Sequence, residues 1–199
     1  MIRSPHPLSS APLVTTTFAV GHVWHHVFQG LYPDPLGFGT APSRFSDPRK
    51  TVQTRFGVYY AGGSFESAVL ETLVRDRKNL NPGLLLVSAA ELEAFVHVPV
   101  LVAAPLTLVD LRGGNPIVMG VPTDAVRARS HRLGQRLSRA LYDHPLRPDG
   151  LCYPSRLNGD DVIAVYDRAI PKLSAGPQRP LSACPEIAPV LERYRIALL

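Results

Sequence analysis

A short run of strand-forming residues stops on two glycines and restarts at once as a helix, which gives the strand a sharp end. Val58, Tyr59 and Tyr60 are β-branched and aromatic residues suited to a pleated surface, and Gly57 and Gly62-Gly63 bound them. Ser64 then offers a hydroxyl to an unpaired N–H of a first helical turn, with Glu66 where the positive end of the helix dipole favours an anion. Wound at about 100° per residue, Phe65, Val69, Leu70, Leu73 and Val74 form one broad apolar face over Phe65 to Arg77, as a helix packed on a sheet requires. Glu71 falls on the other side with Ser67 and Arg75. In the plainest terms it is a solvated i,i+4 partner of Arg75. Ahead of the strand, Ser43 to Arg49 forms a basic loop carrying Arg44 and Arg49.

A chain of 199 residues with 45% hydrophobic content can bury one core, so a single domain with decorated ends is expected. The 21 Lys and Arg against 16 Asp and Glu leave a charge of +5, which favours anionic ligands or partners without choosing among nucleotide, nucleic acid and acidic protein. Cys152 and Cys184 make no disulfide framework, which points to a reducing compartment. Neither a signal peptide nor an apolar stretch of about 18 residues is visible, so a cytoplasmic protein with no membrane partner is expected.

In chain order, Met1 to Pro12 reads as a loosely held arm, followed by extended segments over Val14 to Val20 and His22 to Phe28. Gln29 to Thr40 is Gly- and Pro-rich loop. Its Gly37-Phe38-Gly39 is no dinucleotide fingerprint, since Pro42 stands at the third glycine and no helix follows. His22, His25 and His26 alternate faces in a strand and have no nearby Cys or acidic ligand, so no metal site is expected. Asn79 to Pro82 is a turn, Leu84 to Val87 a buried strand, and Ser88 opens a short helix with Glu91 completing a capping box. Val96 to Val102 and Leu106 to Leu111 are further strands. Thr123 caps a long helix from Asp124 to about Tyr142. It buries Val126, Leu133, Leu137, Ala140 and Leu141 and carries Arg127, Arg129, His131, Arg132, Arg136 and Arg139 largely outward. That stripe is a solvated face rather than a nucleic-acid surface, because no aromatic interleaving or helix-turn-helix pattern accompanies it. Leu151 to Tyr153 and Val162 to Tyr166 are late strands joined through an Asn158-Gly159 corner. Pro171 to Pro185 reads as a linker and Glu186 to Leu199 as a terminal amphipathic helix.

Familiar nucleophile and phosphate-loop patterns are missing: Ser155 sits in Pro-Ser-Arg, and no Gly-x-x-x-x-Gly-Lys run exists. What remains is anion-binding arginines, a tyrosine at a strand end, a carboxylate on the next helix and a polar turn after a late strand. That order resembles the RES-domain family of bacterial toxins. The matching pieces are Gly39-x-x-x-Ser43-Arg44-Phe45, Val58-Tyr59-Tyr60-Ala61, Ala68-Val69-Leu70-Glu71-Thr72, and Gly150-Leu151-Cys152-Tyr153-Pro154-Ser155-Arg156 leading through Tyr166. The similarity runs from about His22 to Arg168.

The resemblance implies an α+β fold like that of the ADP-ribosylating toxins, a split, bent mixed β-sheet flanked by helices. Residues 1–170 would form the NAD-binding catalytic domain, with 1–20 as an arm, and 171–199 the linker and terminal helix. It also implies cleavage of NAD, as substrate rather than cofactor, at the nicotinamide–ribose bond, by phosphorolysis, hydrolysis or ADP-ribosyl transfer. In that scheme Glu71 stabilises the oxocarbenium-like ribose, Arg44 binds the pyrophosphate, and Tyr60 stacks on or hydrogen-bonds to the nicotinamide riboside. Ser155 fixes the nicotinamide side or a ribose hydroxyl, and His25 and Asn158 complete the substrate-binding set. The implied partners are NAD, inorganic phosphate and an Xre-like antitoxin, in a homodimer or a hetero-oligomer with that antitoxin. One departure stands out: where the family carries an arginine after an aromatic, Trp24 is followed by His25 and His26. Histidine lacks the guanidinium fork and is mostly neutral at pH 7, so either Arg49 or Arg55 substitutes or catalysis is weakened. The competing expectations are a catalytically weakened NAD or ADP-ribose-binding module, and a basic nucleic-acid-binding protein.

Overall fold

The computed structural model describes residues 8, 11–75, 77 and 83–199. Most of the arm expected over Met1 to Pro12 and the turn expected at Asn79 to Pro82 lie outside the described residues. In chain order the strands are β1 (Thr15–Phe18), β2 (Val23–Gln29), β3 (Val58–Gly62), β4 (Leu85–Val87), β5 (Phe95–Val102), β6 (Leu106–Asp110), β7 (Gly150–Pro154), β8 (Asp161–Tyr166), β9 (Leu173–Ala175), β10 (Arg179–Pro180) and β11 (Ile196–Leu198). The helices are α1 (Phe65–Val69), α2 (Ala89–Glu93), α3 (Asn115–Val118), α4 (Thr123–Arg127), α5 (Arg132–Tyr142) and α6 (Ile187–Arg193). Among the described residues no helix is long and apolar enough to cross a membrane.

Nine strands form one mixed sheet in the order β1-β6-β7-β8-β3-β2-β5-β10, with β9 also on β5. Only β6 and β7 run parallel within it. The sheet is split at its middle. β3 pairs with β8 over five residues and β2 with β5 over seven, yet β2 and β3 share the single pair His25–Gly62. Backbone groups that do not pair across this seam leave the two halves free to diverge, and a cleft opens there. The two sides of the curled sheet are covered separately. Phe45, Tyr153, Tyr166 and Leu137 belong to the core beneath α4 and α5, and Val27, Val69, Leu70 and Ile187 to the core beneath α1 and α6. This is the α+β, split and bent sheet flanked by helices that the resemblance implies.

Several elements depart from their expected form for visible reasons. The long helix from Asp124 to Tyr142 is two helices, α4 and α5, broken where Ala128 turns extended at φ −63°, ψ 153°. The carbonyls freed by the break are taken by arginines: Ala128 O accepts from Arg44 Nη1 at 2.6 Å and Arg127 O from Arg156 Nη1 at 3.2 Å. Pro122, not Thr123, is the N-cap, and Leu133 is 40% exposed rather than inward. Arg139 turns onto Asp143 and Asp47 instead of standing free in the basic stripe. The stretch read as a linker, Pro171 to Pro185, is built into the sheet through β9 and β10 on β5, with Leu173, Leu181 and Cys184 buried. The terminal helix ends at Arg193. Arg195 reverses the chain at φ 52°, and Ile196–Leu198 runs parallel to β4.

Candidate functional site

The junction of β3 and α1 is as tight as its glycines suggest. A Cβ on Gly62 would stand 2.7 Å from the Ala68 nitrogen and 2.9 Å from the Ser67 Cβ, so the helix lies directly on the strand. Ser64 caps α1 by accepting from the Ser67 N–H at 3.0 Å. Asp160, in the turn after β7, accepts from the Ser64 and Ser67 hydroxyls at 2.7 and 2.8 Å. These bonds hold the Asp160 carboxyl below its ordinary value, with the Ser64 hydrogen bond the largest cause. The helix is therefore tied both to the strand before it and to a turn 93 to 96 residues further on.

After Val69 the helix widens into a π turn over Leu70–Val74, marked by the Arg75 N–H bonding to the Leu70 carbonyl at 3.0 Å. Such widenings recur at functional sites because they displace side chains from the regular helical path. Glu71 sits in this turn. Its Oε1 accepts from the Ser155 hydroxyl at 2.7 Å, and its Oε2 lies 3.6 Å from Arg75 Nη1. The pair with Arg75 expected from helical spacing is present, but Glu71 is not simply a surface group.

Glu71 faces a cleft of about 320 Å³ that opens along the seam between β2 and β3. His25 and Val27 of β2, Tyr60 and Gly62 of β3, and Ala68, Thr72 and Arg75 from the helical segment line it, with Ser43 and Tyr153 beside them. Behind Glu71 a narrow recess is lined by Arg44, Arg75, Tyr153, Arg156 and Leu157. A carboxylate flanked by guanidinium groups in a half-enclosed cleft suits an anionic substrate on which positive charge develops during reaction.

The expected site residues take distinct positions. Arg44 is 3% exposed, with its side chain anchored on Ala128 O in the recess beside Glu71. Burial, followed by the like charges of Arg156 and Arg75, lowers its pKa. Tyr60 lines the cleft, but its hydroxyl is committed to Ser43 Oγ at 2.8 Å and to the Phe45 N–H at 3.0 Å. The ring is what it presents. Ser155 is 5% exposed and touches Glu71 rather than the cleft, while its oxygen accepts from the Leu157 N–H at 3.1 Å. Asn158 stays in its turn, donating to Ser67 Oγ and Asp160 Oδ2, and lines a neighbouring surface groove with Arg127 and Arg156.

His25 lines the cleft and holds His97 through Nδ1 and Nε2 at 3.0 Å, with the rings stacked. Burial lowers the pKa of both, and that of His97 falls to about 4 with help from His25 itself. The pair brings no fixed charge to the cleft at neutral pH. His26 also borders the cleft, with its ring packed on Phe28 and Tyr59, and His22 packs on Phe18 and Trp24. Arg49 and Arg55 do not line the cleft. Arg49 is bound by Asp47 at 2.5 Å, and Arg55 donates to the carbonyls of Arg49, Thr40 and Lys50. The cleft residue overlooked in the sequence is Arg75, whose ordinary helical spacing from Glu71 concealed a second position on the recess.

The chain is similar to known proteins in sequence and in fold. The RES domain model matches residues 21–185. A protein of Sinorhizobium fredii (strain NBRC 101917 / NGR234), called probable toxin y4kH, is 39% identical over 127 residues, which are 63% of this chain and 100% of that protein. A chain of the crystal structure of the M. tuberculosis MbcT–MbcA toxin–antitoxin complex superposes with a TM-score of 0.63 at 17% identity, over 90% of this chain and 91% of that one. With four motifs gathered round one cleft and a family model spanning most of the sequence, the chain belongs to the RES-domain family.

Proposed function

We propose that this chain is the toxin of a toxin–antitoxin pair and that it cleaves NAD at the nicotinamide–ribose bond. The observation that carries the proposal is the Glu71 carboxylate, turned toward the cleft by a π turn and fixed from behind by the Ser155 hydroxyl at 2.7 Å. In the reaction the bond from ribose C1′ to the ring nitrogen breaks, and its electron pair leaves with nicotinamide, cancelling the ring charge. Positive charge gathers on C1′ and the ring oxygen. Glu71 stabilises it, and an oxygen of phosphate, or of water that gives up a proton to solvent, forms the new bond to C1′. Because the carboxylate is already oriented, little reorganisation is needed as the charge develops. Support for the toxin role comes from family membership and from the toxin names of the two relatives. The inhibitory partner in this proposal is an Xre-like antitoxin.

The neutral His25–His97 pair favours a second reading, a module that binds NAD or ADP-ribose with reduced turnover. One assay separates the two. Purified protein incubated with NAD, with and without phosphate, releases free nicotinamide if the enzyme reading holds. Folded protein that binds NAD and releases none overturns it in favour of the module.

A further inference from the structure

A second concavity, of about 590 Å³, shares no lining residue with the Glu71 cleft or its recess. Pro48, Arg49 and Lys50 of the loop before β3 line it together with Arg132, Gln135, Arg136 and Arg139 of α5. Loop and helix are locked together. Gln135 donates to Ser43 O at 2.9 Å and to Ser46 Oγ at 3.2 Å, and Ser138 Oγ donates to Phe45 O at 2.6 Å, so the groove between them is built into the fold. Two of its cations are already partnered: Arg49 by Asp47, and Arg139 by Asp143 at 2.5 Å with Asp47 3.6 Å away. Lys50, Arg132 and Arg136 are exposed and form no ion pair among the described residues. That leaves a local surplus of positive charge, which an anion relieves.

The groove's chemistry narrows the class of anion. No aromatic ring lines it, so it lacks the stacking platform on which a single-stranded nucleic acid rests its bases. The arginine face of α5 borders a concavity instead of projecting from the surface, as a helix entering the major groove of a duplex must. Carboxylates on an extended chain fit better. Arg132 and Arg136 stand one helical turn apart on the face shared with Gln135 and Arg139, about 6 Å along the axis. Alternate residues of an extended peptide point to the same side at a spacing of about 6.7 Å. Successive acidic side chains therefore meet successive guanidiniums, whose planar forks suit carboxylates.

We infer that this groove receives an extended acidic segment of a partner protein, with alternate carboxylates paired to Arg132 and Arg136 and Lys50 supplying a third cation from the loop. The inference stands apart from the NAD-cleaving reading, because its test involves neither NAD nor the Glu71 cleft. Fluorescence anisotropy measures binding of the full chain to a labelled peptide of four Glu-Ser repeats. A Gln-Ser peptide of equal length and a single-stranded oligo-dT of eight nucleotides serve as comparisons. Wild-type protein binds the Glu-Ser peptide at least about tenfold more tightly than the Gln-Ser peptide at low salt, and the advantage shrinks as salt rises to about 200 mM. Arg136→Glu weakens Glu-Ser binding by at least about tenfold, and Lys50→Ala by about two- to fivefold, the scale of exposed charge pairs. Arg179→Glu, at an exposed position in β10 outside the groove, makes the same change in net charge and alters affinity by less than about twofold. A thermal melt checks each variant, and if Arg136→Glu does not fold, Arg132→Glu takes its place. Equal affinity for the two peptides overturns the inference, as does an equal loss in Arg136→Glu and Arg179→Glu, which reports net charge alone. Oligo-dT bound more tightly than the Glu-Ser peptide, and released by Arg136→Glu, overturns it in favour of a nucleic-acid groove.

Discussion

Ser155 lies against Glu71 and outside the cleft, so in the proposed reaction it acts as a positioning residue. Ser155→Ala leaves one carboxylate oxygen without its partner, so the charge-stabilising group wanders by a fraction of an ångström or more. The expected result is a fall in kcat of up to about 10²-fold with KM much less affected, read in steady-state nicotinamide release. An unchanged kcat would show that Arg75 alone orients Glu71. The histidines make a separate prediction. His26 and His97 are each held at about 4 against an ordinary 6.5, chiefly by burial. Between those values the unfolded chain binds protons that the native chain refuses, so stability falls as pH drops from about 6.5 toward 4, by at most about 1.4 kcal/mol per pH unit for each imidazole. Asp47, Asp110 and Asp160 have lowered values, so their stabilisation is lost only below their ordinary 3.8 and does not overlap this window. Denaturant titrations at pH 7, 6 and 5 should show the slope, and His97→Gln should remove part of it. A flat profile over that range would contradict the burial of neutral imidazoles.

At the scale of elements, local chemistry was the best guide and long-range contact the worst. Strands β3, β5, β7 and β8 were legible because β-branched and aromatic residues alternate or run unbroken between turn residues, and the Ser64 and Ser88 caps because a short hydroxyl precedes each helix. The break at Ala128 was not legible. Its cause is the capture of freed carbonyls by Arg44 and Arg156, which no window of adjacent residues contains. The π turn over Leu70–Val74 leaves the apolar periodicity nearly intact and so gives no warning in sequence. Gly62 is the element-level lever on the site. Adding a methyl group there meets backbone of α1 at 2.7 Å, so Gly62→Ala should push the helix off the sheet at a cost of about 1–3 kcal/mol. Unlike Ser155→Ala, it should lower thermal stability and turnover together, since the helix carries Glu71. A variant with wild-type melting temperature would mean that α1 is not seated as described.

For the whole molecule, the sheet owes its cleft to an interruption. Because β2 and β3 meet at a single pair, residues from both halves of the sheet, the first helical segment and the loop before β3 surround one cleft. The motif order in sequence singled out Arg44, Tyr60, Glu71 and Ser155, which the fold places close together, but not the separate contacts each one makes. Glu71 and Ser155 are 84 residues apart and meet only in the fold, and Arg75 acquires its place from the widened helix. The stretch from Pro171 onward is illegible for a similar reason: its prolines suggest a linker, whereas pairing with β5 and burial of Leu181 and Cys184 come from distant partners. The measurement closest to the proposed chemistry is nicotinamide release by Glu71→Gln beside a thermal melt. If Glu71 stabilises the ribose cation as proposed, removing its carboxylate should reduce turnover by about 10²–10³-fold while the melting temperature stays near that of wild type. Wild-type turnover in a well-folded Glu71→Gln protein would contradict the mechanism.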